Sequence, residues 1–202
     1  MENLHLIVGL GNPGRKYAGT RHNAGFLLVE SLVQRWRGKW TTGKKFHARL
    51  ARVERAGRAL LLCQPQTYMN ASGEAVGLLA NFYRVPVGNL MVVVDDADLP
   101  LGEIRLRARG SSGGHHGLES LEKHLATRNF ARLRIGIGRT ASGARQITNH
   151  VLGKFSANEE KLLEEVLMRA SDQVECWLDA GIEKAMNQFN GVVEDRLNKG
   201  KN

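Results

Sequence analysis

The chain has 202 residues, of which 42% are hydrophobic and 24% charged, with a formal net charge of +9. That balance is typical of globular proteins of one-domain size, with enough chain to bury a full core. No run of about 18 apolar residues occurs, so no helical membrane span is expected, and the opening Met1-Glu2-Asn3-Leu4-His5 lacks the basic and apolar regions of a signal peptide.

Leu4 to Val8 is a short apolar run ending at glycine and reads as a buried strand. Residues 21–37 place Phe26, Val29, Val33 and Trp36 at helical spacing, with Thr20 as the expected N-cap. Residues 46–55 and 58–63 read as two strands about a turn at Ala56-Gly57. A helix is expected over 71–83, stopped by Val85-Pro86. Leu90 to Val94 is a continuous apolar strand that runs into Asp95-Asp96-Ala97-Asp98. From Ile104 to Arg109 the pattern alternates strictly, with Arg105, Arg107 and Arg109 on one face. A glycine-rich loop, residues 110–114, leads into a helix near 115–126, and Leu133 to Ile137 is a further strand. One helical stripe runs from about Ser156 to Phe189, its acidic residues forming the solvated face. Strands alternating with helices predict one α/β domain over residues 1–197, with a frayed polar tail at 198–202.

The charge is uneven. Residues 1–150 hold 22 lysines and arginines against 10 acids, whereas residues 151–202 hold 7 against 10. A basic body of this kind is the electrostatic footprint of a polyanion such as nucleic acid; a surface kept basic for solubility is the plainer alternative. Cys63 and Cys176 lie in no metal-ligand spacing and read as reduced, buried thiols of a cytoplasmic protein.

Gly9, Gly11 and Gly14 spell G-x-G-x-x-G, the dinucleotide fingerprint. That motif needs a helix starting at the turn and an acid at the end of the next strand. Here Pro13 to Gly19 interrupts, and Glu30 lies within the helix pattern, so no nucleotide cofactor is expected. The glycines then serve as the turn that exposes Asn12.

Ligands of open α/β sheets bind beyond the carboxyl ends of the strands. Asn12 follows the first strand, Asp95 ends the strand at 90–94, His22 opens the first helix, and Asn70 enters the next. A histidine, a carboxylate and two amides converging there make a hydrolytic site. The histidine takes a proton from water, the carboxylate orients it, and the amides donate to a developing oxyanion. No G-x-S-x-G is present, which leaves water as the nucleophile. No H-E-x-x-H or cysteine cluster offers a metal site.

Five blocks carry a resemblance. Val8-Gly9-Leu10-Gly11-Asn12-Pro13-Gly14-Arg15-Lys16-Tyr17, followed by Thr20-Arg21-His22-Asn23-Ala24-Gly25, resembles the opening signature of bacterial peptidyl-tRNA hydrolases. Residues 65–73, 92–102, 113–118 and 134–138 match four further blocks of that family, in order. The resemblance implies a single α/β domain with a mixed, mostly parallel twisted sheet flanked by helices and a long C-terminal helix. It implies an esterase that cuts the bond between a peptide carboxyl group and the terminal ribose of tRNA, without metal or cofactor, as a monomer. His22 is then the base and Asp95 its partner, with Asn12 and Asn70 on the substrate carbonyl. Tyr17, Tyr68, Met69, His115 and His116 contact the 3′ end or the peptide, and Arg105, Arg107 and Arg134 face tRNA phosphates. The family usually reads Gly-Gly-His-Asn-Gly where this chain reads Gly113-Gly114-His115-His116-Gly117. His116 offers one donor and one acceptor in place of an amide's richer set, which bears on substrate affinity. A non-catalytic RNA-binding relative, of the plastid splicing-factor kind, is the alternative that the same resemblance allows.

Overall fold

The computed structural model describes residues 4–138 and 149–193. Eight strands form one sheet: β1 His5–Gly9, β2 Thr41–Gly43, β3 Ala48–Arg55, β4 Arg58–Pro65, β5 Leu90–Asp96, β6 Glu103–Arg107, β7 Ala131–Gly136 and β8 Gly191–Val192. Their order is β2-β3-β4-β1-β5-β7-β6-β8. The four central strands, β4, β1, β5 and β7, run parallel, and antiparallel strands flank them on both sides. The apolar runs of β1 and β5 lie in this parallel centre because both of their faces are covered.

Among the described residues, the cover comes from α1 Ala24–Arg35, α2 Ser72–Tyr83, α3 His116–Leu125, α4 Ala157–Ala180 and α5 Ile182–Phe189. On one face, Leu28 and Leu32 of α1 pack with Val166 and Val174 of α4 and with Met91 and Val93 of β5. On the other, Val76 and Leu79 of α2 join Leu118 and Leu121 of α3 over Val92 and Val94. Strand β5 therefore contributes alternate residues to two separate cores. The chain leaves β1 for β4 on one side and later returns to β5 on the other. That reversal opens a crevice at the carboxyl edge, where β1, β4, β5 and β7 all end.

Several local expectations change. The helical stripe over 156–189 is two helices, because Gly181 adopts φ 87 and ends α4. Thr20 makes no side-chain cap; its hydroxyl donates to the Tyr17 carbonyl at 2.8 Å. A 3-10 turn, Arg21–Asn23, precedes α1, so His22 lies just before the helix rather than in it. The strand from Ile104 ends at Arg107, and Cys176 is only half-buried. Strands β2 and β8 are too short to leave a periodic signal. The tail at 198–202 lies outside the described residues.

The fingerprint glycines serve packing more than turning. A Cβ on Gly9 would collide with the Gly25 carbonyl, and one on Gly11 would lie 2.8 Å from the Phe26 ring. Gly25, in the first turn of α1, in turn meets the Val93 and Leu10 backbones. Helix α1 thus lies directly on β1, and of the three fingerprint glycines only Gly14 has a positive φ. Overpacking of this kind costs about 1–3 kcal/mol, or more where the obstacle is backbone. Gly9→Ala is expected to lower stability by at least that much in urea unfolding. Gly88→Ala, in open space, is expected to stay within about 0.5 kcal/mol.

Candidate active site

Asp95 is the penultimate residue of β5, with only 3% of its surface exposed. Its Oδ1 meets two imidazoles: His22 Nδ1 at 2.9 Å and His115 Nε2 at 3.1 Å. The two rings lie 5.4 Å apart, one arriving from the turn before α1 and the other from the start of α3. Burial pushes the Asp95 carboxyl up, but the bonds donated by His115 and His22, with their charges, outweigh it. The carboxyl is held well below the usual carboxylate range.

Hydrogen bonding assigns the tautomers. His115 is the N-cap of α3, and its Nδ1 accepts from the Gly117 and Leu118 N–H groups at 3.2 and 3.3 Å. Its proton therefore sits on Nε2 and is donated to Asp95. An ionised Asp95 likewise requires His22 to donate from Nδ1, which leaves Nε2 of His22 as the free base. The facing atoms of His22, Asp95 and His115 lie within 4.8 Å of one another, a spacing a metal ion could use. Metal binding needs a lone pair on His115 Nε2, which the α3 N-terminus opposes by directing two N–H groups at Nδ1.

Asn12 sits in the loop after β1 and is also buried. Its Oδ1 accepts the Met69 N–H at 2.8 Å, which leaves its NH₂ group available to a ligand. Asn23 locks the same loop: its Oδ1 accepts from the Asn12 N–H, and its Nδ2 donates to the Asn12 carbonyl. Arg21 ties the His22 turn to the opposite end of the chain. It donates to the Lys154 carbonyl at 2.6 Å and forms a fork with Glu159 at 2.9 Å. Glu159 also closes the capping box of α4, and the Ser156 N–H, then Arg21, hold its carboxyl down at about 2.

A cavity of about 470 Å³ opens over this group. Asn12, His22, Asp95, His115, His116 and Arg134 line it, together with the apolar Val151 and Leu152. His116 is largely exposed and pairs with Glu119 at 3.1 Å, so His115 is the histidine of the pair that reaches Asp95. The structure does not bring every expected residue into that cavity. Met69 is buried and outside its lining, whereas Asn70 and Tyr68 are exposed on the turn entering α2, and Tyr17 is half-buried in the loop after Gly14. Arg105 and Arg107 lie on β6, outside the cavity. Arg134 lines it, with its guanidinium engaged by Asp96.

Sequence reasoning missed Asn23, Arg21 and Asp96. Their neighbours in sequence mark the right segments, but a side chain that turns back on distant backbone leaves no local pattern.

Asp95 ties the site to pH. A carboxyl depressed in the folded state stabilises it above the unfolded value of about 3.9, and that contribution is lost as pH falls further. Wild-type stability is expected to drop on acidification below about pH 4. In Asp95→Asn the drop is expected to be shallower. Urea unfolding at a series of pH values measures both slopes.

Residues 6–199 match the family model for peptidyl-tRNA hydrolase. The peptidyl-tRNA hydrolase of Gloeobacter violaceus is 48% identical over 93% of this chain and 94% of its own length. That of a Thermoanaerobacter species is 45% identical over 93% of this chain and the whole of its own. The crystal structure of peptidyl-tRNA hydrolase from Acinetobacter baumannii superposes with a TM-score of 0.89, at 40% identity, over 96% of this chain and 97% of that one. With the five sequence blocks in order on the observed fold, the chain belongs to the peptidyl-tRNA hydrolase family.

Proposed function

We infer that this chain hydrolyses the ester bond between the carboxyl group of a peptide, or N-blocked amino acid, and the 3′-terminal ribose of tRNA. The observation that carries the mechanism is the 2.9 Å bond from His22 to the buried Asp95 at the floor of the cavity. With Nδ1 committed to Asp95, His22 Nε2 removes a proton from water as the water oxygen attacks the ester carbonyl. Asp95 stabilises the imidazolium that forms. The same proton passes to the ribose oxygen as the ester bond breaks, which leaves a free tRNA hydroxyl and a peptide carboxylic acid that releases its proton to solvent.

Asn12 donates its NH₂ group to the substrate carbonyl, where charge develops, because its oxygen is already held by the Met69 N–H. Asn70 supplies a second amide from the turn entering α2. Tyr17, Tyr68 and Met69, with His115 and His116, make the surround for the 3′ end and the peptide. On β6, Arg107, which is exposed, and Arg105, which is half-buried and paired with Glu103 at 2.9 Å, contact phosphates of the acceptor stem, in keeping with the basic charge of residues 1–150. No described helix is long and apolar enough to cross a membrane. The reading is of a single domain over residues 1–197, a monomer that works in the cytoplasm and recycles tRNA from prematurely released peptidyl-tRNA.

The deciding assay is release of peptide from N-blocked aminoacyl-tRNA, compared with the unblocked form, in the presence of a chelator. Release from the blocked substrate only is the expected result. His22→Ala is expected to lower kcat by at least about 10²-fold while tRNA binding persists. Near-normal turnover by that variant rules out His22 as the base. His116→Asn is expected to change KM and leave kcat nearly intact, because His116 stands at the exposed rim. Arg107→Ala is expected to weaken all tRNAs alike and to reduce the salt slope of binding by about one unit.

A further inference from the structure

His22 sits in a 3-10 turn of three residues, Arg21–Asn23, too short to hold a direction by its own hydrogen bonds. Thr20 gives it no side-chain cap, and Gly19 before it adopts φ 73. The two neighbours of His22 supply what the turn lacks. Asn23 binds the Asn12 backbone on one side. Arg21 faces the other way, toward residues 153–159.

Arg21 grips that stretch with backbone and side chain together. Its N–H donates to the Gly153 carbonyl at 2.9 Å, and Thr20 beside it forms an antiparallel bridge with Lys154. Its Nη1 donates to the Lys154 carbonyl at 2.6 Å and its Nη2 to both carboxylate oxygens of Glu159 at 2.9 Å. The guanidinium lies over the ring of the buried Phe155, 5.2 Å from its centroid. Gly153 leaves room for it, since a Cβ there would crowd Nη1 at 3.0 Å. Glu159 is held in turn by the Ser156 N–H at 2.7 Å, within the capping box of α4. The anchor is therefore the head of a 24-residue helix, whose Val166 and Val174 share a core with Leu28 of α1.

We propose that Arg21 is a positioning residue for the hydrolytic site, setting the His22 imidazole on Asp95 by fixing its turn to the head of α4. The proposal rests on the reading of His22 as the base given above. Of the two histidines on Asp95, only His22 needs such a fixture. His115 is the N-cap of α3, and its second nitrogen is held by the Gly117 and Leu118 N–H groups. His22 spends Nδ1 on Asp95 and must keep Nε2 open for water. Its ring has no second bond to fix it, so its backbone has to be fixed instead. The same stretch carries Val151 and Leu152 into the cavity, so the base and the apolar wall rest on one anchor. With its side chain only 12% exposed, Arg21 is turned to that anchor rather than to a phosphate.

Arg21→Ala, Arg21→Lys and Glu159→Gln test this in the full-length protein. Lysine keeps the charge but not the planar pair of arms that reaches Lys154 and Glu159 together. Glutamine keeps an acceptor for the Ser156 N–H but loses the charge that faces Arg21. Arg21→Ala is expected to lower kcat about ten- to a hundredfold, the scale of a misplaced reacting group, and the two milder variants less. KM and the salt slope of tRNA binding are expected to stay near wild type. Glu160→Gln, exposed in the same turn of α4, is expected to leave kcat unchanged.

Proton NMR supplies a readout that lowered stability alone does not move. The His22 Nδ1–H resonance is expected to broaden or vanish in Arg21→Ala while that of His115 Nε2–H persists. If Arg21→Ala does not fold, Arg21→Lys and Glu159→Gln carry the same test. Unchanged kcat and an unchanged His22 resonance in the folded variants overturn the proposal. Equal loss of both histidine resonances overturns it in favour of a general loosening. A salt slope reduced by about one unit with kcat unchanged overturns it too and makes Arg21 a phosphate contact. A wild-type chain inert toward N-blocked aminoacyl-tRNA overturns the functional reading instead, and the two resonances still report on Arg21.

Discussion

One carboxylate oxygen, Asp95 Oδ1, accepts from two histidines that reach it from different layers of the protein. His22 comes from the turn before α1, which packs on one face of the sheet, and His115 from the N-cap of α3 on the other. The two can meet only at the end of a central strand, where neither layer of helices intervenes. Burying a lone carboxylate costs several kcal/mol, and this one is stable because both imidazoles donate to it. The two approaching segments are therefore bound by a common energetic requirement, and neither can drift without stranding a charge.

That requirement explains how much of the surrounding chain is spent on holding loops. Asn23 fastens the backbone of Asn12, and Arg21 fastens the His22 turn to Lys154 and Glu159 at the head of α4. The α3 N-terminus fixes the His115 tautomer with two backbone donors. Each device constrains a group that touches the cavity. The glycines of the first block belong to the same scheme: with no Cβ at Gly9 or Gly25, α1 lies directly on β1 and the following loop has a rigid base.

The charge pattern acquires a finer meaning in the fold. In sequence, the arginines at 105 and 107 and those at 132 and 134 are two separate pairs that count alike toward the net charge. In the sheet they become facing pairs: Arg132 and Arg134 turn inward to backbone carbonyls and acids, Arg105 pairs with Glu103, and Arg107 is left exposed. Net charge describes the long-range field, but the partner of each guanidinium is decided by strand register.

Much of the architecture was legible in the chain itself. The apolar runs at 4–8 and 90–94 mark parallel central strands because burial on both faces removes alternation. Asn12, His22 and Asp95 could be placed together from element ends alone, since open α/β sheets expose those ends along one edge. The turn at Ala56-Gly57 was readable too, because it is encoded by adjacent residues. Their φ values of 50 and 71 match a two-residue hairpin turn. What the tertiary structure alone decided was long-range and directional: the break at Gly181, the choice of His115 over His116, the packing role of Gly9, and the inward turn of Arg134. Composition and periodicity report which face of an element is buried. Which distant donor fills a given acceptor depends on side-chain directions that exist only once the layers have closed.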